Sequence, residues 1–266
     1  MSVRTIKQGT LEYLVADGIA APHCFTTRLG GVSTGHVASL NLGMHRDSDP
    51  ENVVKNFHIL ADAIGFAPEN LVLTWQTHSD IVRQVTAADH QGFDTHDYPE
   101  CDALVTNTPG TALCVFTADC TPVLLYDPVT GAVGAAHAGW RGTVSKIAAK
   151  TALEMARLYG CKPEDLRAAI GPNIAVCCFE THRDVPDAVH DSYGAAADPF
   201  ITKKGEKYFL DLKEINALSL QEIGVTNIEI SNACTACQPN RFWSHRVTGG
   251  LRGSQGAIIL CKEVQP

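Results

Sequence analysis

The stretch that most constrains this chain is DALVTNTPGTALCVFTADCTPVLLYDPVTGAVGAAHAGWRG, residues 102–142. Short apolar runs follow one another there through turns such as DPVTG (Asp127 to Gly131), which leave no room for a helix between them. That is the pattern of buried strands in sequence-adjacent pairs, and it excludes a strict strand–helix–strand alternation. Similar runs at 22–27, 71–77, 81–86, 103–106, 112–117, 122–126, 132–136, 167–170, 227–231 and 257–261 extend the strand set. Helical periodicity interrupts it in three places. In DPENVVKNFHILADAIGF, Asp49 is placed as N-cap and Pro50 at the first helical position, with Val53, Val54, Phe57, Leu60, Ala61 and Ile64 on one stripe. GTVSKIAAKTALEMARLYG reads as one long helix stopped by Gly160, and a third helix is expected from Asp211 to about Glu222. The expected class is α/β (α+β): a single-domain layered sandwich over residues 1–266, with a mixed β-sheet and flanking helices.

Composition narrows the function. At 266 residues and 45% hydrophobic content the chain can bury a large core without staples. Its net charge of -8 provides no basic field for nucleic acid or for an anionic membrane surface. Lys7 and Glu12 interrupt the N-terminal stretch where an export signal would need an unbroken apolar run, and no run reaches membrane-spanning length. The expectation is a cytoplasmic protein, monomer or small homo-oligomer, whose 10 cysteines stay reduced. Its partners are then small molecules.

Three segments share a form in which an apolar run ends in a metal-capable or nucleophilic side chain: LVLTWQTHSD, ALCVFTADC and GAVGAAHAGWRG. They put forward His78, Cys120 and His137. Two imidazoles and one thiolate suit Zn(II), and three protein ligands leave a fourth position for water or substrate. Copper(II) is the competing metal for such a nitrogen and sulfur set. Cys120 with His137 as its base is an equally good nucleophile pair, and spacing does not separate the two readings. A buried cysteine and a lone histidine are also common as inert core residues.

Anion-handling candidates lie around glycines. TTRLGGVSTGHVASLNLG offers Arg28, Ser39 and Asn41, and GWRGT places Arg141 beside the start of the expected long helix. Neither stretch is a Walker loop or a dinucleotide fingerprint. NACTACQPN holds Cys234 and Cys237 at Cys-x-x-Cys spacing, but the adjacent pair Cys177-Cys178 departs from a zinc ribbon, so the four read as structural or incidental. The His-x-Glu and Pro-Cys-x-x-Cys signature of the zinc nucleobase deaminases is absent.

In order from about Thr26 to Leu260, TRLGGVS, SLNLG, WQTHSD, TADCTPV, GAAHAGWRGT, AAIGPNIAVCCFE and RFWSHR closely resemble the bacterial YfiH family, also called the laccase-domain or polyphenol oxidase family and related to human FAMIN. The resemblance implies a single-domain α/β sandwich with zinc held by His78, Cys120 and His137. It also implies a purine nucleoside phosphorylase that converts adenosine, inosine and S-methyl-5'-thioadenosine to base and (methylthio)ribose 1-phosphate, with adenosine deaminase activity. Some members are described instead as copper polyphenol oxidases or as peptidoglycan-precursor editing enzymes. Within that reading Asp119 orients or relays a proton beside Cys120, His78 and His137, while Arg28, Ser39, Asn41, Gln76 and Arg141 contact phosphate and nucleoside. A Cys/His hydrolase is the alternative. A laccase is poorly matched, because there is no His-x-His pair and only Met1, Met44 and Met155 could act as axial ligands. This chain also departs from the family's usual NQVHG and FFSYRR, having Ser79 after the first histidine and RFWSHRV near the C-terminus.

Overall fold

A computed structural model describes residues 3–90, 92 and 99–262. Two six-stranded sheets lie face to face. The first runs Val3–Gln8, Leu11–Ala16, His23–Thr26, Gln255–Leu260, Ala112–Thr117, Leu71–Leu73; the second runs Asn227–Ile230, Arg167–Ile170, Thr121–Tyr126, Val133–Ala138, Ala103–Thr106, Val82–Gln84. Most neighbours are antiparallel, and the pairs at three edges are parallel. The sheets are mixed, as the short turns require.

Side-chain alternation along each strand builds four layers. Leu113, Val115, Ala257 and Ile259 of the first sheet meet Leu104, Leu124, Val133 and Ala135 of the second. The intervening Ala112, Cys114, Ile258 and Leu260 face the other way, onto Val53, Phe57 and Leu60 of the helix Pro50–Ile64. Val105, Val123, Leu125 and Ala136 likewise pack against Ile147, Ala148 and Met155 of the helix Ile147–Tyr159 and Leu220 of Leu212–Glu222. A strand covered on both faces must be apolar at every position, which explains the continuous runs in the sequence.

The expected N-cap Asp49 accepts from the Glu51 N–H. The third helix is Leu212–Glu222, and Asp211, expected as its first residue, is its N-cap, accepting from Lys213 N–H and Glu214 N–H. The expected single long helix from 142 is broken. Trp140–Val144 is a separate short helix, and Ile147–Tyr159 starts afresh after Lys146 turns left-handed with φ 58°. Outside the expected set lie the N-terminal hairpin Val3–Gln8 with Leu11–Ala16, the helix Asp184–Tyr193, and a small sheet of Glu180–Thr181, Lys207–Leu210 and Ile201–Lys204. Val3–Gln8 and Ile201–Lys204 carry exposed charged positions that dilute the apolar signal.

Candidate active site

One edge of the two-sheet stack gathers the three sequence-derived candidates. Cys120 stands in the turn between Ala112–Thr117 and Thr121–Tyr126, and His137 is the penultimate residue of Val133–Ala138, paired with Pro122 across the ladder. His78 comes from the loop after Leu71–Leu73. The His78, Cys120 and His137 ligand atoms all lie within 4.8 Å of one another. Cys120 Sγ is 3.8 Å from His78 Nε2, and the two imidazoles meet edge to face at 5.0 Å between centroids.

Backbone turns set this convergence. His78 and Asp119 are both non-glycine residues with positive φ, 62° and 91°, a conformation held only where surrounding contacts fix it. For His78 the fixing group is Asp102, fully buried, whose carboxylate accepts from the N–H groups of Thr77, His78 and Ser79 and from the Ser79 hydroxyl at 2.7 Å. The same carboxylate meets His137 Nδ1 at 2.7 Å. That contact makes Nδ1–H the donor to Asp102 and turns Nε2 toward the site, the arrangement in which carboxylates orient metal-binding histidines. The Ser79 departure from the family pattern thus adds a donor to Asp102. Gly139 completes the packing, because a Cβ there would stand 2.7 Å from His78 Cδ2 and 3.3 Å from Cys120 Sγ.

Electrostatics favours a thiolate. Burial pushes the Cys120 thiol up, but the charge and hydrogen bond of His137, joined by His78, outweigh it and bring the thiol down to about 6. Burial also raises the Asp102 carboxyl, and its bonds to His137 and Ser79 reverse that, to about 2. The donor set of two imidazole nitrogens and one thiolate, with a carboxylate behind one imidazole, fits a tetrahedral zinc with one open position.

The open side faces a cavity of about 540 Å³, in the range of small-molecule sites. Leu42, Met44, Leu73, Trp75, Phe116 and Ala118 supply apolar walls, and Arg46 and Arg252 stand in the rim with His45 and Ser254. No carboxylate is among the described lining residues. Burial, and then the nearby charge of Arg46, pull the Arg252 guanidinium down to about 10, and its Nε is a buried donor without a hydrogen-bond partner. Two neighbouring cations, with no carboxylate among the described lining residues, make a seat for an anion.

The remaining sequence candidates fall in other places. Gln76 lines the cavity, but its amide is paired with the backbone N–H and C=O of Phe116, so it also ties the His78 loop to the neighbouring strand. Arg28, Ser39 and Asn41 stand behind the wall. The Arg28 guanidinium stacks on Trp243 at 3.7 Å and donates to Pro239 and Ala38 carbonyls. Ser39 Oγ accepts from Gly30 and Gly31 N–H, and Asn41 Oδ1 from Gly43 and Ser254 N–H. Asp119 is turned away too, accepting from the Thr235 hydroxyl at 2.6 Å and the Arg246 N–H at 2.7 Å. Arg141 is exposed over the Trp140 ring. Sequence reading missed Asp102, Arg46 and Arg252. Asp102 opens the ALVT strand as a lone acid, a weak signal; the two arginines carry none, since only the fold brings them together.

The matched family is described as multi-copper polyphenol oxidoreductase laccase, and its model covers residues 22–262. A purine nucleoside phosphorylase of Deinococcus radiodurans is 40% identical over 249 residues, 94% of this chain and 92% of that protein. The purine nucleoside phosphorylase YlmD of Bacillus subtilis is 37% identical over 90% of this chain and 88% of its own length. Among solved structures, the hypothetical protein YfiH of Bacillus licheniformis superposes with a TM-score of 0.91 at 34% identity, covering 98% of this chain and 99% of that one. YlmD of Geobacillus stearothermophilus gives a TM-score of 0.90 at 35% identity, over 97% and 99%. A mixed α/β sandwich carrying a His/Cys/His cluster at a strand-edge cavity defines a class, and by these matches the chain belongs to the laccase-like YfiH family.

Proposed function

We propose that this chain is a zinc-dependent purine nucleoside phosphorylase acting on adenosine, inosine and S-methyl-5'-thioadenosine, with adenosine deaminase activity at the same site. The observation that carries the reading is a single cavity joining the His78/Cys120/His137 cluster to the Arg46/Arg252 pair with no carboxylate in its described lining. The names of the relatives from Deinococcus radiodurans and Bacillus subtilis point the same way.

Phosphorolysis needs phosphate held against C1′ while the C1′–N9 bond breaks and its electron pair leaves with the purine. Arg46 and Arg252 hold the phosphate; forked guanidinium groups fix an oxyanion in direction as well as position. Leu42, Leu73 and Phe116 exclude water from the sugar and base, and the exposed ring of Trp75 gives the purine a face to stack on. His78, Cys120 and His137 would hold the zinc, which supplies a Lewis acid and an acidified water for deamination. Asp102 keeps His137 Nε2 aimed at that position. The reading makes the arginines phosphate-specific: Arg252→Gln raises KM for phosphate tenfold or more while the KM for inosine stays within about twofold and metal content is unchanged. Equal loss for both substrates would sink the assignment of Arg252.

A second reading rests on the Asp102–His137–Cys120 alignment, which is also that of a cysteine hydrolase. Chelation separates the two: a thiol hydrolase keeps its activity, and the zinc enzyme loses it.

A further inference from the structure

The structure assigns a second metal centre to this chain: we propose that Cys177, Cys178, Cys234 and Cys237 form a tetrathiolate zinc site, separate from the cavity. In sequence the adjacent pair at 177–178 argues against a zinc ribbon. In three dimensions the objection falls. The turn at 175–179, closed by Cys178 and Phe179 N–H donating to the Ala175 carbonyl, presents both sulfurs to one side. The Cys-x-x-Cys turn meets them there. Cys237 Sγ lies 3.5 Å from Cys177 Sγ and 3.3 Å from Cys178 Sγ, and all four sulfurs lie within 4.8 Å of one another. Thiolates placed about 2.3 Å from a tetrahedral zinc stand roughly 3.8 Å apart, so small side-chain rotations close the site.

Two further features suit thiolates rather than thiols. Ala175 N–H points at Cys234 Sγ at 3.4 Å, as backbone amides do around metal-bound sulfur. Cations also surround the group. Lys213 is buried, makes no ion pair with a carboxylate among the described residues, and donates only to the Ser231 and Ala233 carbonyls beside Cys234. The Arg246 guanidinium donates to the Cys178 and Glu180 carbonyls. Zinc with four thiolates carries two net negative charges, which these two cations offset.

The location gives the centre a task. It joins the 171–180 segment to the 231–243 segment, which already share the Asn173–Cys234 bridge. From these segments Ile174 N–H and the Thr235 hydroxyl bind Asp119, and Asn173 binds Thr121, so the residues on both sides of Cys120 hang on the clamp. The second metal is structural, and it stiffens the turn that aims Cys120.

The test is metal analysis of protein expressed with zinc and purified without oxygen under a reductant. The wild type is expected to hold two zinc ions per chain, and Cys120→Ala and Cys237→Ser one each. Cys120→Ala loaded with cobalt(II) should show the strong near-ultraviolet charge-transfer bands and intense visible bands of a tetrahedral thiolate site, lost in Cys120→Ala/Cys234→Ser. An unchanged zinc count in Cys237→Ser overturns the proposal. So does a folded, fully reduced Cys120→Ala chain without zinc, a bound iron in place of zinc, or an intact mass two hydrogens short, which would mean a disulfide.

Discussion

Asp102 reaches further than any ligand at the site, because one carboxylate orients His137 and also holds the left-handed turn at His78. Losing such a carboxylate typically weakens metal binding about 10–100-fold. Asp102→Asn must also turn an amide toward three N–H donors, so both imidazoles lose their alignment. Competition against a calibrated chelator should find zinc affinity at the His78/Cys120/His137 site reduced by at least that factor, with Ser79→Gly losing far less. Unaltered affinity in Asp102→Asn would show that the two loops hold the ligands without it. Arg28 teaches the reverse. An arginine before two glycines reads as an anion loop, yet its guanidinium is covered by Trp243 and the Pro239 carbonyl, which arrive only with the C-terminal segment, and by the local Ala38 carbonyl.

At the scale of elements, the site is the meeting of one turn, one strand end and one loop, and their spacing depends on Gly139. Its φ of -64° suits any residue, so Gly139→Ala brings no backbone penalty. The added methyl would press His78 Cδ2 at 2.7 Å, and the ring must give way. The expected outcome is weaker metal binding and at least tenfold lower kcat with a Tm within a few degrees of wild type. Normal kcat would show that the His78 loop is soft. The strand that carries His137 and the two that flank Cys120 were legible because a strand buried on both faces must be apolar throughout, so a histidine within one stands out. The helix break at Lys146 was not, since Val144 and Ile147 keep helical spacing on both sides of it.

Across the whole molecule, four layers place the cavity at one edge of the sheet stack and leave stability to the core and to buried polar groups far from the site. His23 is such a group. Its Nε2 accepts from Ala16 N–H, so Nδ1 carries the proton and donates to the Ala21 carbonyl. Burial holds its pKa below the ordinary 6.5, and the folded ring stays neutral. The unfolded chain therefore takes up its proton first as pH falls. The stability His23 contributes is complete above about pH 6.5 and is lost as pH drops through the depressed folded-state value. Urea midpoints should fall more steeply between neutral and mildly acidic pH for wild type than for His23→Gln; parallel slopes would remove His23 from the account. The layers were legible from periodicity and short turns, and the His/Cys/His cluster from residue chemistry. Arg46 and Arg252 were not, because a rim assembled from two distant loops leaves no local pattern.

The central claim is phosphorolysis at this cavity, and product chromatography tests it most directly. Metal-quantified wild type and Cys120→Ala are incubated with inosine or adenosine, with and without phosphate. The account predicts phosphate-dependent release of hypoxanthine or adenine with ribose 1-phosphate by the wild type, and none by Cys120→Ala, whose fold should lose only about 1 kcal/mol. Wild type that carries its zinc yet releases no free base under any condition, or Cys120→Ala that releases it at the wild-type rate, would contradict the account.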